Sequence, residues 1–261
     1  MLSLIPSDLI CTARAMLAAT ALAAVALPQA QAVAVSGQGT WQTTLKGRDL
    51  DGNSATLEAF YDTTLNITWL ADANFAKTSG YDADGHMTWA AAKTWAAQLN
   101  FNGITGWRLP DTKPVSGGNF FNTDIAEDGS TDNGYNITST QNELSHLYYV
   151  TLGDKGRFDT LGNYDSNYGL INTGPLNNIQ SYSYWTGKVI IPDTSVAFYF
   201  NTDGGYQNRI GTVNTFPVPE YFAWAVHSGD VGLAVVPEPS TYALMGLGLA
   251  ALAVVRKRQH R

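Results

Sequence analysis

Strand patterns at both ends of this 261-residue chain, with helix patterns between them, most constrain its fold. Leu65, Ile67 and Trp69 alternate with polar neighbours, and a period of two is typical of a strand with one buried face. Aromatic and β-branched runs return later in the chain, at 183–191, 195–205 and 221–236. Asp203-Gly204-Gly205 predicts a hairpin turn. Strands around two helices imply an α+β fold, with a mostly antiparallel sheet that brings the ends of the domain together.

Two helices are predicted between these strand patterns. Thr88 is a suitable N-cap for the first, and its predicted end is Asn102-Gly103. Thr140 and Glu143 have the spacing of a capping box for the second, which Gly153 is predicted to end. The intervening residues 113–136 are polar and glycine-rich, so they predict an extended loop.

The charge between the terminal segments excludes one class of partner. The chain has 15 Lys and Arg and 22 Asp and Glu, of which ten and twenty lie in residues 33–236, so this region has a net charge of −10. Such an acidic surface repels phosphate backbones, and no nucleic acid is expected as a partner. The single cysteine, Cys11, lies before this region, which therefore has no disulfide, thiol nucleophile or thiolate metal site.

Both ends of the chain have features of export signals. Arg14 precedes an alanine-rich apolar segment, and Ala30-Gln31-Ala32 fits a cleavage site, so residues 1–32 are predicted to be a signal peptide. Translation starts at Met1 or Met16. At the other end, Ser240–Val255 is an apolar run of 16 residues followed by a basic cluster. This run is shorter than the roughly 20 residues that cross a bilayer core, and it predicts a short membrane helix with the domain outside the cytoplasm.

The last residues also form an ordered motif. Three parts follow one another: Val236-Pro237-Glu238-Pro239, the short apolar helix, and the terminal basic cluster. In this order residues 236–261 resemble the PEP-CTERM sorting signal of exported bacterial proteins. The resemblance implies an anchor in the inner membrane until an exosortase-type enzyme cleaves near Pro-Glu-Pro. It also implies an association with exopolysaccharide, at the cell surface, in the outer envelope or in the extracellular space.

A second set of motifs lies in residues 33–235. They are Thr88–Ala92, Trp107-Arg108-Leu109-Pro110, Glu143-Leu144, Tyr184-Trp185-Thr186 and a final aromatic strand. In this order they resemble the Lcl C-terminal domain family. The resemblance implies a C-type-lectin-like fold with two main helices, flanked here by an N-terminal signal helix and a C-terminal hydrophobic helix. The long insert after Pro110 and the lack of a cysteine near the final strand depart from the family's pattern.

The Trp-Arg-Leu-Pro stretch is the most specific of these motifs. The favoured interpretation is structural: Trp107 packs in the core, and the planar donors of Arg108 tie neighbouring loops together. The alternative is that Trp107 or Arg108 reaches a ligand.

One acidic cluster in the long loop would suit calcium, the one cofactor that the sequence suggests. It consists of Glu127, Asp128 and Asp132, and the alternative is an ordinary solvated loop. Asp82-Ala83-Asp84-Gly85 begins like a calcium-binding loop. However, the position that requires an acid is Lys93, so this stretch predicts a turn.

No catalytic arrangement is recognisable, and no catalytic residue is predicted. His86, His146 and His227 lie in separate elements without the spacing of a zinc site, and no Gly-x-Ser-x-Gly turn occurs. The formylglycine-generating enzymes, to which the Lcl-type resemblance extends, act through cysteines that residues 33–236 do not have. We therefore expect that the protein is not an enzyme.

Tyrosines in Asn- and Gly-rich loops are the remaining candidates for ligand contact, namely Tyr135, Tyr164, Tyr168, Tyr182 and Tyr206. Aromatic faces beside amide side chains combine stacking area with directional hydrogen bonds, which suits sugars. Tyrosines that merely pin loops to the domain are the alternative. The leading hypothesis is a non-catalytic binding module for exopolysaccharide or another surface ligand. A structural matrix or adhesion protein acting through protein contacts is second, and a secreted hydrolase is third.

Overall fold

The first and last strands of the described chain pair with each other. In the computed structural model, which describes residues 32–190, 194–213 and 215–234, Arg48 lies opposite Ala234 and Asp49 lies opposite Leu233. The guanidinium of Arg48 also donates hydrogen bonds of 2.6 and 2.8 Å to the carboxylate of Asp230. The prediction that the sheet brings the ends of the domain together is therefore confirmed.

The predicted terminal segments lie outside the described residues. This applies to the signal peptide before Ala32 and to the whole sorting tail, with its processing site and its apolar helix. In the parts of the chain that the structure describes, no helix is both long and apolar enough to span a membrane. All described residues belong to one compact unit that begins at Ala32.

The strands form two mainly antiparallel sheets. In chain order the described strands are β1 (Leu45–Asp49), β2 (Ala59–Asp62), β3 (Ile67–Leu70), β4 (His86–Met87), β5 (Trp107–Arg108), β6 (Ile125–Ala126), β7 (Asn133–Gly134), β8 (Ser183–Val189), β9 (Val196–Asn201), β10 (Tyr206–Gly211), β11 (Tyr221–Phe222), β12 (Val226–Ser228) and β13 (Leu233–Ala234). The first sheet has the order β13-β1-β2-β3-β12-β5, and the second has the order β4-β11-β8-β9-β10-β7-β6. Two pairs are parallel, β11 with β8 and β6 with β7.

Helices are few and short, so the coarse α+β assignment agrees with the structure. The described helices are α1 (Trp41–Thr44), α2 (Phe75–Thr78), α3 (Trp89–Gln98), α4 (Glu143–His146) and a π-helix (Leu147–Leu152) that continues α4. The predicted N-cap of α3 is confirmed, because Thr88 Oγ1 accepts a hydrogen bond from Ala91 N. Gly153 ends the second helical segment in a left-handed conformation, as predicted.

Two details of the predicted helices are wrong. Helix α3 ends at Gln98, and Asn102 and Gly103 form a separate turn with positive φ. The capping box does not form, because Asn142 is the N-cap residue of α4 and makes no side-chain cap. Glu143 instead turns its carboxylate towards Arg108. A tertiary ion pair thus replaces the local hydrogen bond that the spacing predicted.

The first sheet is covered on both faces. Strand β3 is buried at all four positions, so the predicted alternation of buried and exposed residues is wrong there. Ile67 and Trp69 pack into a core cluster that includes α4 and the π-helix, whereas Leu70 packs into a second cluster with α3. Adjacent residues of a strand point to opposite faces, so each face of β3 meets a different cluster.

A short buried segment joins the two sheets. Between β11 and β12 the chain passes through Ala223, Trp224 and Ala225, all buried. Trp224 Nε1 donates to the carbonyl oxygen of Leu70 at 2.8 Å, and its ring lies 5.0 Å from the ring of Trp69. These contacts of Trp224 attach the segment between the two sheets to β3. The β9–β10 hairpin of the second sheet carries the surface features described below.

Candidate functional site

The Trp-Arg-Leu-Pro stretch is bound into the fold. Trp107 is 2% exposed, and Leu109 and Pro110 are also buried. Arg108 donates two hydrogen bonds of 2.8 Å to the two carboxylate oxygens of Glu143 and one to Ser228 Oγ. Hydrogen bonding to Glu143 and the negative charge of that carboxylate raise the pKa of Arg108 although burial opposes it. These four residues hold β5, β12 and α4 together.

The acids predicted to bind calcium do not meet at one point. Asp132 is buried, and its two carboxylate oxygens accept hydrogen bonds of 2.7 Å from the backbone N–H groups of Val115 and Asn122. Asp128 is exposed and accepts from Ser130 N within its own turn. Glu127 is half-buried. Its negative charge acts on Tyr135 and Tyr206 and contributes to the raised pKa values of both tyrosines.

A different acidic group gathers beside the first strand. Within the described part of the chain, Asp49, Asp51 and Glu58 form the one group of three whose possible ligand atoms lie within 4.8 Å of one another. Carboxylate oxygens are ligands for hard cations such as calcium. Two of these oxygens already accept hydrogen bonds within the protein. Asp49 Oδ1 accepts from Asp51 N and Gly52 N, and Glu58 Oε2 accepts from Leu50 N. Calcium binding stays a prediction.

The structure links the five predicted tyrosines into one continuous surface, which we name the tyrosine belt. The belt consists of Tyr182, Tyr221, Tyr199, Tyr206, Tyr135, Phe158, Tyr164 and Tyr168, in spatial order. Six of the seven neighbouring pairs are in ring contact, with centroids between 4.9 Å apart, for Tyr135 and Tyr206, and 6.4 Å apart, for Phe158 and Tyr164. Tyr199 and Tyr206 are joined by Asn208, which lies opposite Tyr199 and donates to the Tyr206 hydroxyl at 3.1 Å.

The belt lies on strands and on loops alike. Tyr199, Tyr206 and Asn208 occupy one face of the β9–β10 hairpin, because Tyr206 and Asn208 are two residues apart and Asn208 pairs with Tyr199. Tyr199 and Tyr221 were missed by the sequence interpretation because it selected only tyrosines in Asn- and Gly-rich loops, whereas these two lie on strands. At the far end, Arg157 lies over the ring of Tyr168 at 4.9 Å.

Four tyrosine hydroxyls at the centre of the belt stay neutral in ordinary buffers. Burial raises the pKa of Tyr199 to about 12, and burial also raises the pKa values of Tyr135, Tyr206 and Tyr221 above the usual value. A neutral phenol both donates and accepts hydrogen bonds. Each of these four tyrosines therefore offers a ring face and a hydroxyl that can both donate and accept a hydrogen bond.

A cleft of about 430 Å³ opens beside the same hairpin, and sequence interpretation missed it. We name it the basic cleft; its side chains that matter below are Lys113, Phe120, Phe121, Gln141, Lys188 and Arg209. These residues come from four separate parts of the chain. The sequence contained a sign only in the Phe-Phe pair of an otherwise polar loop.

A second cleft, of about 460 Å³, has a different character. Glu58 and Asp72 line it together with Phe75, Phe101 and Asn178. Each carboxylate accepts one backbone hydrogen bond, Glu58 from Leu50 N and Asp72 from Asn74 N. Two acids in one cleft are the minimum that glycoside hydrolysis requires.

Comparison with known proteins identifies the end of the chain. Residues 235–258 match the family described as the PEP-CTERM protein-sorting motif. No curated protein and no solved structure matches the chain. The motif marks an exported protein that passes through the membrane and is processed by an exosortase. It begins directly after β13, the last described strand.

Proposed function

We propose that residues 33–235 form a non-catalytic module that binds extracellular polysaccharide through the tyrosine belt. The observation that supports this function is the continuity of the belt, in which ring contacts and Asn208 join all five predicted tyrosines. Sugar rings present C–H groups that pack on aromatic faces and hydroxyls that pair with phenol and amide groups.

The sorting motif supports the location of this activity. An exported protein that an exosortase processes acts outside the cytoplasm, which is where this proposal places its polysaccharide ligand. In this proposal the C-terminal helix holds the protein in the inner membrane first, and cleavage at Val236-Pro237-Glu238-Pro239 then delivers it to the cell surface, the outer envelope or the extracellular space. The C-type-lectin-like architecture belongs to the same proposal, and the motifs around Trp107–Pro110 support it.

A glycan array probed with the full-length chain in mild detergent tests the function. Tyr206→Ala and Tyr182→Ala each remove one ring of the belt, and we expect each to weaken glycan binding about tenfold. Tyr81→Ala is the matched control, because Tyr81 is also an exposed tyrosine (55%) but has no ring contact with the belt. It should bind like the unmodified protein.

Two results would contradict polysaccharide binding by the belt. If no neutral or charged glycan is retained while the protein self-associates or co-purifies with envelope proteins, the structural matrix or adhesion role replaces it. If glycans bind but Tyr81→Ala weakens binding as much as Tyr206→Ala, the belt is not the binding surface.

A glycoside hydrolase is the second candidate function, and the cleft that Glu58 and Asp72 share favours it. The test is the release of reducing ends from soluble polysaccharides by the full-length protein, with Glu58→Gln and Asp72→Asn as controls. Release that both variants abolish would establish hydrolysis. Absence of release would leave binding as the function.

A further inference from the structure

The basic cleft concentrates positive charge on an acidic protein. Three of the ten Lys and Arg residues of the region 33–236 line it, namely Lys113, Lys188 and Arg209. Among the described residues that line the cleft, none is acidic. In a region with a net charge of −10, this local reversal of sign attracts an anion at short range.

Two of these cations have no counter-charge. Within the described ranges, neither Lys188 nor Arg209 forms an ion pair or a side-chain hydrogen bond, although both are half-buried. Lys113 lies 3.5 Å from Asp111, and this exposed contact is weak. A half-buried guanidinium with five unused donors is suited to a carboxylate, which it binds through two parallel hydrogen bonds.

The loop that closes the cleft is held in place before any ligand arrives. The Asp132 carboxylate accepts from both Val115 N and Asn122 N, so it ties the two ends of the 115–122 loop. Gln207 Nε2 donates to the Asp132 carbonyl oxygen at 2.8 Å and connects this tie to β10. Phe121 packs on Phe198 with ring centroids 4.7 Å apart. Such preorganisation lowers the entropic cost of binding.

The cleft also offers an apolar face and an amide. Phe120 is 87% exposed beside the cations, and Gln141 lies at the rim. An aromatic face, an amide and a guanidinium match a ring that bears both hydroxyls and a carboxylate. We infer that the basic cleft binds a carboxylate-bearing saccharide of the uronic acid class. That the anion is carried by a saccharide rests on the proposed function, whereas the preference for an anion does not.

This site is distinct from the tyrosine belt. Arg209 follows Asn208 in β10, and adjacent residues of a strand point to opposite faces of the sheet. The belt therefore lies on one face of the β9–β10 hairpin and Arg209 on the other. Variants of one site can be tested without altering the other.

The experiment compares two ligands that differ only in charge. The full-length chain in mild detergent is titrated with a galacturonic acid tetrasaccharide and with the methyl ester of the same tetrasaccharide. We expect the acid to bind about tenfold more tightly than the ester, because a charge-assisted bidentate hydrogen bond forms only with the acid. Added salt should reduce the difference.

Variants test whether the preference for the acid over the ester comes from the basic cleft. The double variant Lys188→Gln/Arg209→Gln should abolish the preference for the acid. The double variant Lys46→Gln/Lys77→Gln is its matched control, because it removes the same charge at two exposed lysines outside the cleft. Phe120→Ala should weaken acid and ester equally, by about threefold, since it removes stacking only.

Each outcome bears on the inference. A preference that the cleft variant loses and the control variant keeps supports it. Equal affinity for acid and ester, or an equal loss in both double variants, overturns it. Suppose that neutral glycans on the array bind, that Tyr206→Ala weakens their binding, and that the acid binds no more tightly than its ester. Only the inference about the basic cleft then fails. If neither ligand binds and the array is also negative, the proposed function fails with it.

Discussion

Arg108 and Arg209 are both half-buried arginines on strands, yet their surroundings are opposite. Glu143 accepts two hydrogen bonds from Arg108, and Ser228 and Leu109 accept two more. Within the described residues, the guanidinium of Arg209 has no such partner and faces a cleft. An arginine whose donors are used inside the protein stabilises the fold, whereas one with unused donors is available to a ligand. This contrast separates structural from binding residues more sharply than sequence motifs do.

The largest expected effect is on the paired arginine. Glu143→Gln should lower the free energy of unfolding by about 3 kcal/mol, because it leaves the Arg108 charge partly buried without its counter-charge. Urea unfolding measures the change. Arg209→Gln is the control, since it removes an arginine that the described fold does not use. Equal losses in the two variants would contradict the contrast between the two arginines.

A buried carboxylate without a cation extends the comparison. Asp154 is buried, and one of its oxygens accepts from Ile171 N and Asn172 N, whereas the other has no partner among the described residues. Burial raises the pKa of Asp154 to about 7, and the backbone hydrogen bonds oppose this rise. Because the pKa is raised on folding, the native state holds the proton more tightly. The contribution of Asp154 to the free energy of unfolding is therefore complete below about pH 4 and is lost as the pH rises through about 7.

Asp154→Asn should accordingly stabilise the protein at high pH. The neutral amide is never ionised, so at pH 8 we expect the variant to be more stable by on the order of 2 kcal/mol. At about pH 3 this advantage should nearly vanish, because Asp154 is then largely protonated in the unfolded state as well as in the folded state. Denaturant unfolding of variant and unmodified protein at both pH values gives the difference. A difference that does not change with pH would show that Asp154 does not titrate in this window.

A smaller effect on stability is expected for Asp132, whose carboxylate holds the two ends of the 115–122 loop. In Asp132→Asn one of the two acceptor oxygens becomes an NH₂ group, which cannot accept from Val115 N or Asn122 N. The loss of stability should be about 1.5 kcal/mol, and the loosened loop should weaken uronate binding several-fold. Calorimetry and titration measure the two quantities. Loss of stability with unchanged uronate affinity would show that the loop need not be held for binding.

The smallest effect on stability is expected for the cations of the cleft. Lys188→Gln/Arg209→Gln should change the free energy of unfolding by less than about 0.5 kcal/mol, because no described ion pair is broken. Thermal unfolding at low salt measures the change. A loss comparable to that of Glu143→Gln would mean that these residues serve the fold.

The strand and helix positions were largely predictable from the sequence. The apolar run around Ile67 and Trp69 located β3, the Asp203-Gly204-Gly205 turn located the β9–β10 hairpin, and Thr88 and Gly153 marked helix boundaries that the structure has. The failures were tertiary. The capping box at Thr140 lost its Glu143 to Arg108, and β3 lost its alternation because helices cover one face and a second core cluster covers the other.

The candidate sites were predictable only in part. Composition singled out five tyrosines, although one of them, Tyr206, begins β10 and does not lie in a loop as predicted. It did not single out Tyr199 and Tyr221, which connect them. The basic cleft could not be found, because Lys113, Lys188 and Arg209 are far apart in the chain and no local pattern relates them. Charge clusters of this kind arise from the order of strands in a sheet.

The sequence by itself determined that this protein is exported and processed by an exosortase, and it indicated several of the strands and helices. The sorting motif and the periodicities of strands and helices are local patterns, which can be recognised without knowledge of the fold. Only the tertiary structure decided which side chains meet. It paired Arg108 with Glu143, brought tyrosines from strands and loops into one belt, and left Lys188 and Arg209 facing a cleft. These contacts depend on strand order and on register across long stretches of chain.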